Sequence, residues 1–415
     1  MNFDKKDGAH KQCVLLIIDG LGDLPNPELG GKTPLEAATT PVLDFMAGSG
    51  WCGLIDPIGP GKIPNTHSGT GILMGLVPEQ AGHLNRGPVE AAGAGRKLAN
   101  GDVALRANFA TMERRADGFL VTDRRAGRIT SDTQELAGLL ADVDLGDGVR
   151  ASLVSTDQHR GVLILSGRGL SAAVSDTDPG NSSMPARLNP CRAMEPEAKL
   201  TSSKINRFID EAFRLLARHP VNIARMEAGK LPANGVITRG AGLQFEVDNA
   251  LHKLGVEAAM ISGCNTVLGL GHFFGFDVIT DPRFSADIET DLDAKIAAAR
   301  SALDSHDMVF VHVKAPDICS HDRQPLAKRD FLQRLDLAME PLLKSDVIVA
   351  VGADHTTDSN SGFHTADPVP SLIWQPGTGS PDTALNFGEK ACRNGIMGRQ
   401  LSSEFLARIL RLMGY

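Results

Sequence analysis

Residues 14–19 read VLLIID, an apolar run that ends on the acidic residue Asp19. Two later runs have the same form: MVFVHV shortly precedes Asp317, and VIVAVG shortly precedes Asp354. Short apolar runs that alternate with amphipathic stretches predict a mostly parallel sheet flanked by helices. In such α/β sheets, ligands bind at the carboxyl ends of the strands. We therefore expect these acidic residues to converge on one crevice.

Amphipathic stretches separate the strand-like runs. They predict helices from Thr33 (TPLEAATTPVLDFMAGSG), after Thr66 (GILMGL), at 291–303, around 331–343 and at 402–413, with VPSLIW as a further strand. Between about 108 and 282 the pattern changes, because arginines gather and loops rich in Pro and Gly interrupt it. We therefore predict a core domain formed by 1–107 and 283–415, with an inserted α+β cap domain at 108–282.

Composition limits the classes of function. The chain has 415 residues, of which 42% are hydrophobic, which is enough for two domains. A net charge of −8 without a basic tract argues against a nucleic-acid partner. The polar first residues and the lack of a long apolar run predict neither a signal segment nor a membrane span. The six cysteines show no CxxC pairing, so we expect a cytoplasmic protein. The oligomeric state is left open.

Seven side chains that follow or border the apolar runs could bind metal ions: Asp19, Thr66, Asp317, His321, Asp354, His355 and His364. Divalent ions such as Mn, Zn, Co or Mg accept carboxylate and imidazole ligands. Two ions roughly 3.5–4 Å apart can bind both the attacking and the leaving oxygen of a phosphoryl transfer.

We expect two sets of ligands. One consists of Asp317, His321 and His364. The other consists of Asp19, Asp354 and His355, with a hydroxyl oxygen as the fourth ligand. Each cluster taken alone would also fit a helix cap or a surface loop.

Several motifs extend this interpretation. The segments IDGLGDLPNPELGGKTPLEAATTP, RGPVEAAGAG, DRRAGRI, ANGVITRGAG, GADHTTD and HTADPVPSLI resemble, nearly end to end, the short-form 2,3-bisphosphoglycerate-independent phosphoglycerate mutases of the alkaline phosphatase superfamily. The resemblance implies an alkaline-phosphatase-like core and a metal-bound hydroxyl nucleophile. It also implies a covalent phosphoenzyme that returns the phosphoryl group to another hydroxyl of the same glycerate. By the same resemblance, Asp19, Asp354 and His355 flank the nucleophile's metal.

The nucleophile segment departs from the family pattern, which has a Gly-Ser pair, then an acidic residue, and a histidine four residues after the serine. In this chain Asn65 and Thr66 stand at the Gly-Ser pair, His67 at the acidic position and Thr70 at the histidine. We predict Thr66 as the catalytic nucleophile. Ser68 is the alternative, two residues out of register.

The lost histidine predicts altered substrate handling, because threonine cannot act as a base near neutral pH. We therefore expect weak turnover of 3-phosphoglycerate to 2-phosphoglycerate. A related phosphorylated or phosphonylated hydroxy acid would be the natural substrate, and restoring a histidine at Thr70 would then raise mutase activity. The alternative is a phosphatase, phosphodiesterase or C–P bond hydrolase of the same superfamily, which would pass the group to water.

Cationic residues in matching family segments predict the substrate contacts, since guanidinium groups bind phosphate and carboxylate in bidentate fashion. They are Arg124, Arg125, Arg128, Arg160, Arg239 and Lys314, with Arg86 as a further candidate. Taken singly, each arginine would also fit a solvated surface.

Overall fold

The computed structural model describes residues 10–156, 158–180, 184–377 and 386–415. The chain forms two compact units: unit 1 is Met1–Gly82 with Val247–Tyr415, and unit 2 is His83–Glu246. The predicted borders at 108 and 282 therefore lie too late in the chain. The strand that begins at Val103 already belongs to the sheet of unit 2, and the strand that begins at Ala258 already belongs to that of unit 1.

In chain order, the strands are β1 (Cys13–Ile18), β2 (Trp51–Asp56), β3 (Val103–Arg115), β4 (Gly118–Asp123), β5 (Val143–Asp144), β6 (Arg150–Ser155), β7 (Arg160–Ser166), β8 (Ala186–Arg187), β9 (Gly235–Leu243), β10 (Ala258–Ile261), β11 (Asp277–Ile279), β12 (Met308–Val313), β13 (Ile348–Gly352), β14 (Thr356–Asp358), β15 (Phe363–Thr365), β16 (Val369–Trp374) and β17 (Gly398–Leu401). The α-helices are α1 (Pro34–Ala37), α2 (Pro41–Ser49), α3 (Thr66–Leu73), α4 (Arg86–Gly93), α5 (Thr133–Gly138), α6 (Lys199–Leu216), α7 (Pro220–Glu227), α8 (Ala250–Leu254), α9 (Asn265–Phe273), α10 (Leu292–Ala302), α11 (Ala315–His321), α12 (Pro325–Ala338), α13 (Glu389–Arg393) and α14 (Ser402–Met413). No helix in the described segments combines the length and apolar character needed to span a membrane.

The main sheet of unit 1 has eight strands in the order β11-β10-β12-β1-β13-β16-β2-β17. All neighbours pair in parallel except β16, which runs antiparallel to both β13 and β2. Every residue of β1 is buried, as expected for a continuous apolar run in a strand covered on both faces. The predicted mostly parallel sheet flanked by helices is confirmed.

Prolines explain where the helix predictions need correction. The stretch from Thr33 forms two helices, because Pro41 lacks the N–H that a continuing helix needs and opens α2 instead. The helix predicted at 331–343 begins earlier, since Pro325 is favourable in a first turn. It ends at Ala338, and a short 3₁₀ turn follows it.

Unit 2 is built on an antiparallel sheet in the order β5-β6-β7-β3-β4-β8, with β9 also paired to β3. Helix α6 buries Ile205, Phe208, Ile209 and Ala212, whose spacing of three and four residues places them on one face. These side chains belong to the same core as Phe109 of β3. The helices and antiparallel strands give this unit an α+β composition.

Candidate metal centre and arginine cluster

The order of the strands places the acidic residues of unit 1. Strand β1 lies between β12 and β13 and is parallel to both, so the three carboxyl ends share one edge of the sheet. Asp19 follows β1 directly, and its N–H donates to Val313 O at 3.0 Å. Asp354 follows β13, and its Oδ1 accepts from Gly20 N–H at 3.2 Å. Strand register alone therefore brings together residues that are far apart in sequence.

Asp317, His321 and His364 form one compact group, as predicted for the first ligand set. Asp317 Oδ1 lies 3.3 Å from His321 Nε2 and 3.5 Å from His364 Nε2, and the two Nε2 atoms lie 3.3 Å apart. His321 Nδ1 donates to the backbone carbonyl of Gly362 at 2.8 Å, and His364 Nδ1 donates to that of Pro64 at 3.0 Å. A carbonyl only accepts, so Nδ1 carries the hydrogen and Nε2 faces Asp317.

The second predicted set also comes together. His355 Nε2 lies 3.3 Å from Asp19 Oδ1, 3.1 Å from Asp354 Oδ2 and 3.3 Å from Thr66 Oγ1. Asp19, Asp354 and His355 are completely buried. The His355 ring stacks on His364 with centroids 3.7 Å apart, so the two sets are adjacent. His355 also lies within metal-sharing distance of Asp317 and His364.

The residues of the second set fit a divalent cation. Asp19 Oδ1 and Asp354 Oδ2 are buried, and neither makes a well-formed hydrogen bond with a described residue. Buried carboxylate oxygens without such bonds are costly unless they are paired or coordinate a metal. Two carboxylates and an imidazole nitrogen are ligands that Mn²⁺ and Zn²⁺ accept.

Lys314, which we predicted as a substrate contact, lies between the two sets. Its Nζ donates to Asp317 Oδ2 at 2.6 Å, to Asp19 Oδ2 at 2.9 Å and to Thr66 Oγ1 at 3.3 Å. Burial lowers the pKa of Lys314, but the carboxylates of Asp19 and Asp317 outweigh burial and raise it. Burial likewise raises the pKa of Asp19, but Lys314 and the hydrogen bond from His312 hold this pKa well below its usual value.

The first turn of α3 distinguishes the two candidate nucleophiles. Ser68 Oγ accepts from Asn65 N–H at 3.2 Å and donates to Asn65 O at 3.1 Å. Asn65 Oδ1 accepts in return from Ser68 N–H at 2.9 Å, which completes a capping box. The hydroxyl of Ser68 is therefore used in the helix cap, whereas Thr66 Oγ1 faces His355 and Lys314.

Thr70, which stands where the family pattern has a histidine, is completely buried. Its hydroxyl makes no hydrogen bond with a described residue. Helix α3 packs against α9 and α14, and a Cβ at the neighbouring Gly69 would lie 2.0 Å from Asp354 O. A histidine at position 70 would have to displace packed atoms. The structure therefore does not support restoring a substrate contact by Thr70→His.

Two residues of the centre were missed. His312, a buried residue of β12, donates from Nε2 to Asp19 Oδ2 at 3.0 Å and lies 3.2 Å from Ser262 Oγ through Nδ1. A histidine inside an otherwise apolar strand was a usable signal for it. Thr357 Oγ1 lies 2.8 Å from Asp317 Oδ1 and 2.9 Å from His355 Nδ1. Nothing in the sequence indicated Thr357.

Unit 2 contains the predicted arginines. Arg124 binds Asp178 through two hydrogen bonds of 2.6 Å, from Nε and from Nη2. Arg239 Nε lies 4.0 Å from the same carboxylate. Burial lowers the pKa of the nearby His159 to about 4, and the positive charges of Arg160 and Arg125 lower it further. Arg125 itself is exposed.

A second group surrounds Glu90, whose Oε1 accepts from Arg86 Nε and from Arg106 Nη1, both at 3.3 Å. Arg106 is buried, and its pKa is lowered to about 9, first by burial and then by neighbours that include Arg86, Arg239 and Arg160. Arg106 was not predicted, although an arginine inside the strand-like VALRANFA was a signal.

We call the arginines of these two groups, together with Arg160, the arginine cluster: Arg86, Arg106, Arg124, Arg160 and Arg239. The two carboxylates of Glu90 and Asp178 contact four of these guanidinium groups, those of Arg86, Arg106, Arg124 and Arg239. Such an excess of positive charge suits an anion. Arg128 is exposed, and among the described residues no ion pair or hydrogen bond joins its side chain to the cluster.

Comparisons with known proteins agree with these observations. A family model described as 2,3-bisphosphoglycerate-independent phosphoglycerate mutase matches residues 47–222. A relative of that name from Ignicoccus hospitalis is 40% identical, covering 94% of this chain and 95% of the relative. Another relative of that name, from Methanopyrus kandleri, is 38% identical, covering 97% of this chain and 96% of the relative.

Two solved structures are also similar. The PH0037 protein from Pyrococcus horikoshii has a TM-score of 0.82 and 29% identity, covering 98% of both chains. The cofactor-independent phosphoglycerate mutase from Thermoplasma acidophilum has a TM-score of 0.67 and 30% identity, covering 97% of this chain and all of that one. The fold class and the family predicted from sequence are thus confirmed. The chain belongs to the family of 2,3-bisphosphoglycerate-independent phosphoglycerate mutases.

Proposed function

We propose that this chain is a metal-dependent isomerase that moves a phosphoryl group between two hydroxyls of one small acid through a covalent phosphothreonine at Thr66. The observation that carries the proposal is the position of Thr66 Oγ1, 3.3 Å from both His355 Nε2 and Lys314 Nζ. An oxygen in contact with a ligand-type imidazole and an ammonium group has the surroundings of an activated nucleophile.

Two divalent ions of the Mn, Zn, Co or Mg class complete the proposed centre. Asp317, His321 and His364 would hold one, and Asp19, Asp354 and His355 the other, with the hydroxyl of Thr66. Bound divalent ions lower the pKa of a coordinated hydroxyl and neutralise the charge of a phosphoryl group.

The chemical steps follow from the chain's own residues. The bond from Thr66 Oγ to phosphorus forms as the bond from phosphorus to the substrate oxygen breaks, and the proton of the Thr66 hydroxyl passes to that oxygen, which leaves as a hydroxyl. The steps then reverse onto a neighbouring hydroxyl of the same substrate, so the net reaction is an isomerisation. Lys314 orients the Thr66 oxygen through its hydrogen bond and offsets negative charge that develops there.

The proposed substrate is phosphoglycerate or a closely related phosphorylated or phosphonylated hydroxy acid. The relatives are named phosphoglycerate mutases, and the arginine cluster supplies guanidinium groups of the kind that bind phosphate and carboxylate. Because the Gly-Ser pair and the following histidine of the family pattern are replaced, we expect 3-phosphoglycerate to react slowly. Loss of a proton-transfer group typically lowers a rate by roughly 10²–10⁴-fold.

Phosphorus NMR of the Mn²⁺-loaded protein with 3-phosphoglycerate tests the proposal. Slow formation of 2-phosphoglycerate without inorganic phosphate is the expected result. Inorganic phosphate as the main product would identify a hydrolase instead. Rapid interconversion would show that the replaced residues do not limit the reaction and would contradict the expected slow rate.

A further inference from the structure

One buried hydroxyl connects the two candidate metal-ligand sets. Thr357 Oγ1 lies 2.8 Å from Asp317 Oδ1, which belongs to the first set, and 2.9 Å from His355 Nδ1, which belongs to the second. Thr357 and His355 are completely buried, and Asp317 is 1% exposed. Water therefore does not compete for these hydrogen bonds.

The direction of both hydrogen bonds follows from the groups involved. The carboxylate of Asp317 only accepts, so the hydroxyl of Thr357 donates to it. That hydroxyl has a single hydrogen, so it must accept from His355, and Nδ1 of His355 carries a hydrogen. The Nε2 of the same ring is then the atom that faces Asp19, Asp354 and Thr66. In this way the hydroxyl selects the ring nitrogen that is available to a metal.

The backbone of Thr357 is fixed from two sides. Its N–H donates to Gly22 O at 3.0 Å, and its carbonyl accepts from the buried Lys328 Nζ at 3.4 Å. In the β14–β15 ladder, Thr357 lies opposite His364, a ligand of the first set. A Cβ at Gly20, which has φ +63, would lie 2.7 Å from Thr357 Oγ1. The hydroxyl is thus confined to the position between the two sets.

We propose that Thr357 is a positioning residue that orients ligands of both candidate metal sites at once. The proposal rests on the proposed function, because it requires that the two sets bind metal ions. Its hydroxyl fixes the ring of His355 and the carboxylate of Asp317 together, so its loss weakens metal binding at both sites. Loss of a residue that orients metal ligands typically lowers metal affinity about 10–100-fold.

Three variants separate this role from general packing. Thr357→Val replaces the hydroxyl by a methyl group of similar size, and Thr357→Ser keeps the hydroxyl. Thr356→Val is the matched control, because Thr356 is an equally buried neighbour whose hydroxyl donates to Asp367 O at 3.1 Å, outside both ligand sets. Circular dichroism of the metal-free proteins checks folding, and Thr357→Ala replaces the valine variant if the latter does not fold.

Calorimetric titration of the metal-free protein with Mn²⁺ measures the effect without relying on activity. We expect wild type and Thr356→Val to bind two ions, Thr357→Val to bind both at least tenfold more weakly, and Thr357→Ser to restore binding. Weakening at one site only, or at neither, overturns the role of Thr357. A wild-type protein that binds no Mn²⁺ contradicts the proposed function itself, which is a distinguishable result.

Discussion

The hydroxyl of Thr66 lies 3.3 Å from Nε2 of His355, although the two residues are separated by 289 positions in the chain. Thr66 is the first residue of α3, and the capping box of Asn65 and Ser68 fixes the turn that carries it. The amino terminus of a helix favours nearby negative charge, because its first N–H groups are not bonded within the helix. A phosphoryl group on Thr66 would lie in such surroundings.

We predict that Thr66→Ala abolishes the phosphoenzyme and that Thr66→Ser retains it, because the hydroxyl of Thr66 faces the candidate centre whereas that of Ser68 is used in the helix cap. Ser68→Ala should leave the phosphoenzyme intact while costing about 1 kcal/mol of stability through the lost cap. Mass spectrometry of peptides from metal-loaded protein, quenched after mixing with substrate, locates the phosphate. A phosphate on Ser68 would show that the assignment is wrong.

Metal ions should stabilise the folded protein, because the buried oxygens of Asp19 and Asp354 gain partners. At a free Mn²⁺ concentration of about 100 times Kd, a site bound only in the folded state adds roughly 2.7 kcal/mol. We expect the midpoint temperature of thermal unfolding to rise when Mn²⁺ is added and to fall back when a chelator removes it. Asp354→Asn should reduce this shift, whereas Asp142→Asn at an exposed site should not. An unchanged shift in Asp354→Asn would count against this metal site.

The convergence of the candidate ligand residues could be predicted because each follows or borders an apolar run, and the carboxyl ends of parallel strands lie at one edge of a sheet. Thr357 could not be predicted in the same way, because its role depends on distances between strands and loops that the sequence does not give. The first of the two domain borders, at 108, was placed too late for a related reason. Helix α4 has an ordinary helical composition, and only its packing on β3 and β9 assigns it to unit 2.

A pH effect is expected in the metal-free protein. Burial lowers the pKa of His355, but the carboxylates of Asp354 and Asp19 outweigh burial and raise it from 6.5 to about 10. The charged ring therefore stabilises the fold fully below pH 6.5, and this contribution disappears as pH rises through about 10. The free energy of unfolding, measured by urea titration, should fall over this range more steeply in wild type than in His355→Gln. The same dependence of the free energy of unfolding on pH in both proteins would contradict the raised pKa of His355.

The arginine cluster should control substrate affinity. Arg239→Ala removes a guanidinium whose Nε is buried without a hydrogen bond to a described residue. A hydrogen bond to a charged group contributes about 1.5–3 kcal/mol, so we expect roughly 10–100-fold weaker binding of 3-phosphoglycerate. Arg150→Ala, at an exposed ion pair of the same unit, is the control. Equal dissociation constants for both variants, measured by calorimetry, would place the substrate elsewhere.

The central position of β1 has a consequence for synthesis of the chain. Both strands that bond to β1 are translated much later, and a ribosome adding about 5–20 residues per second needs roughly 15–60 s to reach them. During that interval CVLLII is an uncharged, proline-free segment without partners, and such segments aggregate readily. Unit 2, which is continuous in sequence, can complete its sheet in the meantime. The nascent chain therefore exposes an aggregation-prone segment until the strands that pair with β1 are synthesised.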